Sequence, residues 1–330
     1  MTTLEVTVPP LELASAPGGL DRGQALARLR EFFQRERAQT FQLHQKGAPG
    51  RLVAKRLASI VDSMVSFAHS YALENTQSPV PLTPYHISTG LAWIATGGYG
   101  RGELNPFSDV SLLLFYLDAP AASAEGLANT VASLLKEASL TVSLSCSTPQ
   151  ACLKAMEGDP ITASALLEGR WVAGDKAHFQ SFEKDVLEAF FSKHWFSFLR
   201  DRIEEQLSRH GAKGASPYLV EPNLVSSPGG LRDVHLLFWT KRLAEVLPAR
   251  RETLPTIKEK EHQGLLESYD LLLRLRTQLH LLADKKYDLF DRSLQELTAS
   301  AFGYKQEDGL PAATGLMRDY FRAIARVCHL

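Results

Sequence analysis

One segment constrains this chain more than any other: GGYGRGELNPFSDVSLLLFY, from Gly97 to Tyr116. A β-type run, Leu91 to Thr96, leads into three closely spaced glycines, Gly97, Gly98 and Gly100. Glycine lets backbone N–H groups approach an anion closely and point at it. Arg101 adds a planar cationic fork suited to triphosphate oxygens. Pro106 then introduces Ser108 and Asp109 at the mouth of a second β-type run, Val110 to Leu117. Residues two apart on a strand share a face, so position 111 points the same way as Asp109. Carboxylates at both positions would hold two divalent cations roughly 4 Å apart, the arrangement for in-line phosphoryl or nucleotidyl transfer. A tight hairpin turn would explain the glycines alone. It does not explain Arg, Glu, Pro and Ser-Asp at fixed offsets before a strand.

The rest of the chain organises around this segment. Residues 1–19, rich in Pro, Ala and Gly, read as a loosely held tail, and residues 20–85 as N-terminal helices. Leu26, Leu29, Phe33 and Phe41 recur at helical spacing, Gly47-Ala48-Pro49-Gly50 breaks that helix, and a second carries Leu52, Leu57, Ile60, Val61, Met64, Val65 and Ala68 on one stripe. Pro79, Pro81 and Pro84 mark a linker. Residues 86–150 read as a small α/β core, with a helical pattern from Glu125 to Ala138 and a third β-type run from Leu140 to Ser145. After Thr148 strand signals nearly vanish. Helical patterns cover Ile161–Arg170, Lys176–His210, Gly230–Leu247, Lys258–Ala283, Ser293–Ala301 and Ala313 onward, so residues 151–330 read as an all-α helical-bundle domain. The Gly211–Ser227 stretch reads as a long functional loop.

GGYGRGELNPFSD resembles the signature of the PII uridylyltransferase family, the bifunctional nitrogen sensors, and more distantly that of polymerase-β-like transferases. A second stretch strengthens the likeness: Glu221-Pro222-Asn223, then Pro228-Gly229-Gly230-Leu231-Arg232-Asp233. Weaker echoes are Ala165–Glu168 with Ala173-Gly174-Asp175, and His280-Leu281-Leu282 followed by Phe302-Gly303-Tyr304. The resemblance spans about residues 47–330. It implies a polymerase-β-like nucleotidyltransferase domain with a small mixed sheet, a helical companion, and transfer of UMP from UTP to a PII-type signalling protein. It also implies that Gly97, Gly98, Arg101, Glu103 and Ser108 hold the nucleoside triphosphate, and that Asp109 is a Mg²⁺ ligand. In the second domain, Gly229, Gly230, Arg232 and Asp233 would line the cleft. Pro228 and the glycines suit a helix start whose free N–H groups meet a phosphate or a backbone partner. A rival reading has Arg232 and Asp233 lock an interdomain contact.

The likeness fails at specific places. The family pattern ends SDxDLL, whereas this chain reads Ser108-Asp109-Val110-Ser111-Leu112-Leu113. The second metal-binding aspartate is a serine, and a neutral hydroxyl is a weak ligand for Mg²⁺. Glu137 aligns with a family aspartate just before the third strand and is the candidate second ligand. A GHSVR-like run is replaced by Ser143-Leu144-Ser145-Cys146-Ser147, and the lysine of EPNxK is Val225. Two readings follow. One is an enzyme that transfers a nucleotide, from UTP or with another base specificity such as adenylylation. The other is a pseudoenzyme that senses nucleotide or binds PII. The clustered departures favour lost or severely reduced catalysis. With no His-Asp dipeptide, the chain is expected to lack the family's hydrolase activity, whether as a shortened relative or as part of a longer protein.

Composition narrows the partners. With 36 basic and 37 acidic residues, the chain lacks the basic excess of a nucleic-acid binder. No apolar run approaches the roughly 18 residues of a membrane span, and there is no signal-peptide pattern. Three cysteines without a CxxC pair suit a reduced cytoplasm. Ten histidines are scattered singly; His235 lines the cleft or packs a helix. Glu204-Glu205 and Lys285-Lys286 read as solvated faces, and the four tryptophans as core or interdomain contacts.

Overall fold

The computed structural model describes residues 8–12, 20–75, 90–117, 120–212, 216–255, 258–307 and 309–329. The expected proline linker and residues 1–7 and 13–19 of the expected tail lie outside them. The described residues are mostly helical, with one small mixed sheet. They divide into two compact units. The first takes in the described residues of Met1–Thr40, Lys55–Leu104 and Ser108–Lys193, and the second those of Phe41–Ala54, Asn105–Phe107 and His194–Leu330.

The first unit begins with helices α1 (Arg22–Gln45) and α2 (Gly50–Asn75), which are shared with the second at their turn. Strand β1 (Leu91–Ala95) follows, then one helical turn, α3 (Gly97–Gly100), and β2 (Val110–Tyr116). Helix α4 (Ala121–Glu137) returns the chain to β3 (Val142–Ser147). That crossover is what lets β2 and β3 pair in parallel, since parallel neighbours cannot be joined by a hairpin. The strand order is β3-β2-β1-β4, with β1 antiparallel to both of its neighbours.

Every residue of β1 is buried, as expected of a central strand covered on both faces. Trp93 is fully buried, and its indole N–H donates to His69 Nδ1 at 3.0 Å. Burial depresses the His69 pKa to about 4, so the ring is neutral and free to accept that bond.

The fourth strand, β4 (Arg170–Gly174), corrects the sequence reading, which extended a helix through Arg170. Helices α5 (Pro149–Gly158), which was also missed, and α6 (Pro160–Leu167) precede it. Asp159 caps α6 by accepting from the Ile161 and Thr162 amides. A tight turn with Gly169 N–H donating to Leu166 C=O ends it, freeing Arg170 for the sheet. Helix α7 (Lys176–Ser181), a π-helical stretch (Phe182–Glu188) and α8 (Ala189–Ala212) then run without interruption where one helix was expected.

The second unit contains most of α8, then α9 (Leu231–Val246), a 3₁₀ turn (Pro248–Thr253), α10 (Glu259–Ala283), α11 (Arg292–Ala301) and α12 (Ala312–Cys328). Leu316, Tyr320, Ile324 and Val327 form the buried stripe of α12 at helical period. They join Leu265, Leu272, Leu275, Leu279 and Phe290 in one core. Asp270 of α10 accepts from the Gly50 and Arg51 amides at 3.1 and 3.0 Å, capping the first turn of α2.

Three residues of the glycine-rich signature count with this second unit. Asn105 is buried, donates to Thr277 Oγ1 at 2.9 Å, and accepts from Arg276 Nη1 at 3.0 Å. The Phe107 amide donates to His280 Nδ1 at 3.3 Å. Asp288 completes the knot by pairing with Arg276 at 2.7 Å. Burial alone would raise the Asp288 pKa, but the His280 and Arg276 contacts outweigh it and hold the carboxyl far below its usual range.

Candidate functional site

Strand β1 passes through Thr96 directly into α3. Gly97 has φ +56°, a left-handed backbone that favours glycine. The turn closes with Arg101 N–H on Gly97 C=O and Glu103 N–H on Gly98 C=O, at 3.0 and 2.8 Å. The amides of Gly97, Gly98 and Tyr99 open the turn, where helical geometry supplies no acceptor. Gly100 is fixed by crowding, since a Cβ there would stand 2.2 Å from the Glu168 carbonyl oxygen. Gly98 differs from both. Its φ is outside the left-handed region, and a Cβ would meet nothing nearer than 3.4 Å. The fold itself makes little demand for glycine at this position.

Two charged networks hold the turn. Tyr99 is buried and donates its hydroxyl to Asp62 Oδ1 of α2 at 2.6 Å. Arg170 of β4 grips Asp62 with both arms, at 2.9 and 3.0 Å, and donates to the Tyr99 carbonyl at 3.2 Å. Burial, then Asp62, pushes the Tyr99 pKa well up, so the phenol keeps its proton. Arg101 forms the second network, pairing with Glu103 Oε2 at 3.0 Å and with Glu168. Burial opposes its charge, yet the two carboxylates outweigh that and raise its pKa. The expected triphosphate fork is therefore occupied by two carboxylates of the same unit, and Glu103 is one of them.

Asp62, Glu168 and Arg170 were not among the sequence-derived site residues. In the sequence, Ala165–Glu168 stands out only as a weak echo of the family. Arg170 could have been found from the short run RWVAG between Gly169 and Asp175, which has the length and boundaries of a strand.

Asp109 is exposed at the mouth of β2, with Ser108 partly buried before it. Ser111 lies opposite Thr96 in the ladder, and its carbonyl accepts from the Thr96 amide at 3.0 Å. The glycine turn thus leaves β1 beside Ser111, two residues from Asp109 on the same face. Ser111 pairs in register with Ser143, and Leu113 with Ser145, so β3 adds two exposed hydroxyls on that face. Burial, with a contribution from Glu125, pushes the Cys146 thiol up to about 11, which leaves it unreactive.

Glu137 ends α4, where its carboxylate accepts from Arg22 Nη2 at 2.6 Å and from Ser133 Oγ at 2.8 Å. These contacts, the serine bond foremost, lower its pKa. Among the described residues no three His, Cys, Asp or Glu side chains are grouped so as to hold a metal ion. One carboxylate with serine hydroxyls is a poor donor set for Mg²⁺, which prefers charged oxygens in strict octahedral geometry. The residues present do not fit a two-cation centre.

In the second unit, Gly229-Gly230-Leu231-Arg232-Asp233 leads into α9, with Gly230 at the cap position and Leu231 as the first helical residue. Asp233 is buried and accepts from the Gly229 amide at 2.7 Å, Arg209 Nη2 at 2.9 Å and His210 at 3.0 Å. Arg209 also donates to the Ser226 carbonyl at 2.9 Å. Asn223 Oδ1 accepts from the Val225 and Ser226 amides, and Leu231 N–H returns to the Leu224 carbonyl. Gly229 has φ +76°, with Ile324 of α12 only 2.6 Å from where a Cβ would stand. The half-exposed Arg232 reaches Glu205 at 3.5 Å. Nearly every polar atom of this motif is used within its own unit.

No helix among the described residues is long and apolar enough to cross a membrane. Residues 197–330 match the family model described as GlnD PII-uridylyltransferase. The chain is similar to proteins named bifunctional uridylyltransferase/uridylyl-removing enzyme from Burkholderia orbicola (strain AU 1054), Burkholderia mallei (strain SAVP1) and Burkholderia pseudomallei (strain 668). Each is 33% identical over 242 residues, which is 73% of this chain and 28% of the relative. The chain thus spans less than a third of the length of these curated relatives. Residues 197–330 are thus a domain of the PII-uridylyltransferase family, in a chain homologous to these enzymes.

Proposed function

We propose that this chain is a nucleotide-binding member of the uridylyltransferase family, with a polymerase-β-like core beside a helical-bundle domain, in which transfer chemistry is lost or strongly reduced. The observation that carries the reading is the start of β2, where exposed Asp109 is joined by partly buried Ser111 instead of a second carboxylate. The opening amides of Gly97 and Gly98 supply donors for a phosphate next to that face. Arg101, held by Glu103 and Glu168, acts as a brace for the turn. The relatives' name, uridylyltransferase, points to UTP as the nucleotide, and the description of the matching family model to a PII-type protein as the partner.

Calorimetric titration with UTP, ATP, CTP and GTP, with and without Mg²⁺, tests this. Binding with little Mg²⁺ dependence is expected, and no uridylylation of a PII protein. Ser111→Asp places a carboxylate on the face of Asp109, so Mg²⁺-dependent nucleotide affinity rises about tenfold or more while transfer stays negligible. Robust transfer by the unaltered chain overturns the loss of catalysis. Absence of binding for all four nucleotides overturns the nucleotide site.

A further inference from the structure

We propose that a second pocket, wholly inside the helical unit, binds an organic phosphate. It is a cavity of about 520 Å³ between α10, the Phe302–Pro311 connection and α12. Three cationic side chains line it, Arg274, Lys305 and Arg318, against one carboxylate, Glu307, among the described lining residues. The volume is that of a small-molecule site.

Arg274 is the central observation. Its guanidinium lies 4.0 Å over the Phe302 ring. The edge of His44 meets the same ring, with centroids 6.0 Å apart, so Phe302 is fixed. Stacking leaves the in-plane N–H donors of a guanidinium available to a ligand. Arg274 Nε is nevertheless buried without a hydrogen-bond partner. Neighbouring carboxylates do not relieve it. Asp270 is engaged by the Gly50 and Arg51 amides, and Asp319 accepts from the Tyr304 hydroxyl at 2.8 Å. Burial accordingly lowers the Arg274 pKa, with Asp270 only partly offsetting it. Arg274 as a whole is only partly buried and lines the cavity, so the rest of its guanidinium can meet an acceptor there.

A phosphate suits this environment better than a single carboxylate. It brings nearly two charges and several acceptor oxygens to three cations. The cavity exceeds what inorganic phosphate occupies, and Phe302, Tyr304 and Pro311 offer apolar surface for an organic body.

The test is titration of the full chain with ribose 5-phosphate in EDTA, with ribose and citrate as comparison ligands. Ribose 5-phosphate is expected to bind and to raise Tm, with ribose silent and citrate weaker. Arg318→Glu lies at an exposed position and leaves the fold intact; it should weaken ribose 5-phosphate by about tenfold or more. Arg274→Gln should do the same. Combined with Ser111→Asp, both variants should keep its gain in Mg²⁺-dependent nucleotide affinity, which separates this pocket from the face of β2. Failure of the wild type to bind ribose 5-phosphate, or unchanged binding in both variants, overturns the proposal. Preference for citrate overturns the assignment to phosphate.

Discussion

The two family motifs of this chain are treated in opposite ways by the fold. In Pro228–Asp233 the buried carboxylate, the preceding amide and the neighbouring arginine are joined to one another, and glycine at 229 is dictated by φ and by Ile324. In Gly97–Ser111 a Cβ at Gly98 would meet nothing nearer than 3.4 Å, Asp109 is exposed, and Ser111 is only partly buried at the start of β2. Equal recognisability in sequence therefore hides two kinds of cause. One motif is retained by packing. The other carries exposed groups, Asp109 among them, with little packing against Gly98.

This contrast predicts unequal responses to mutation. Asp233→Ala should have the largest effect, because it leaves Arg209 and His210 facing a buried gap. A loss of about 3–5 kcal/mol in urea unfolding is expected. A loss below about 1 kcal/mol would mean that the second motif is not a packing device.

The sheet beneath the first motif has its own sensitivity. His69 has its folded pKa lowered to about 4 from 6.5. The unfolded chain therefore binds the proton more readily, and stability falls as pH drops below 6.5 towards 4. Between pH 7 and pH 5 the loss from this ring should be about 2 kcal/mol, and His69→Gln should remove that pH dependence. An unchanged slope in the variant would show that His69 does not support β1.

Gly98→Ala should have the smallest effect on folding, within about 0.5 kcal/mol of wild type, since the site is uncrowded and alanine favours helix. Nucleotide binding should nevertheless weaken about tenfold or more, because a methyl group stands where the phosphate approaches the backbone. Large destabilisation by this variant would erase the contrast between the motifs.

How much of this was legible beforehand depended on whether cause and effect lay close in sequence. Strands β1, β2 and β3, the helix between the last two, and the shared face of 109 and 111 follow from local periodicity. Strand β4 did not, because five residues in a helix-rich stretch owe their conformation to pairing with β1, some eighty positions earlier. The engagement of Arg101 by Glu168, and of Tyr99 by Asp62 and Arg170, was hidden for the same reason. A sequence shows a cation beside a glycine turn. It does not show which carboxylate reaches that cation first.

The bonds of Asn105 have a consequence for synthesis. Its partner Thr277 lies 172 residues further along the chain, and the acceptor for Phe107 lies 173 further. At about 5–20 residues per second, a ribosome takes roughly 10–30 s to make that interval. Through that time the middle of the glycine-rich signature has been made but lacks the side chains that fix it. The first unit's central strands can pair early. The loop that delivers Asp109 to the edge of β2 is set only after α10 has emerged, so a nascent chain acquires its sheet well before its site.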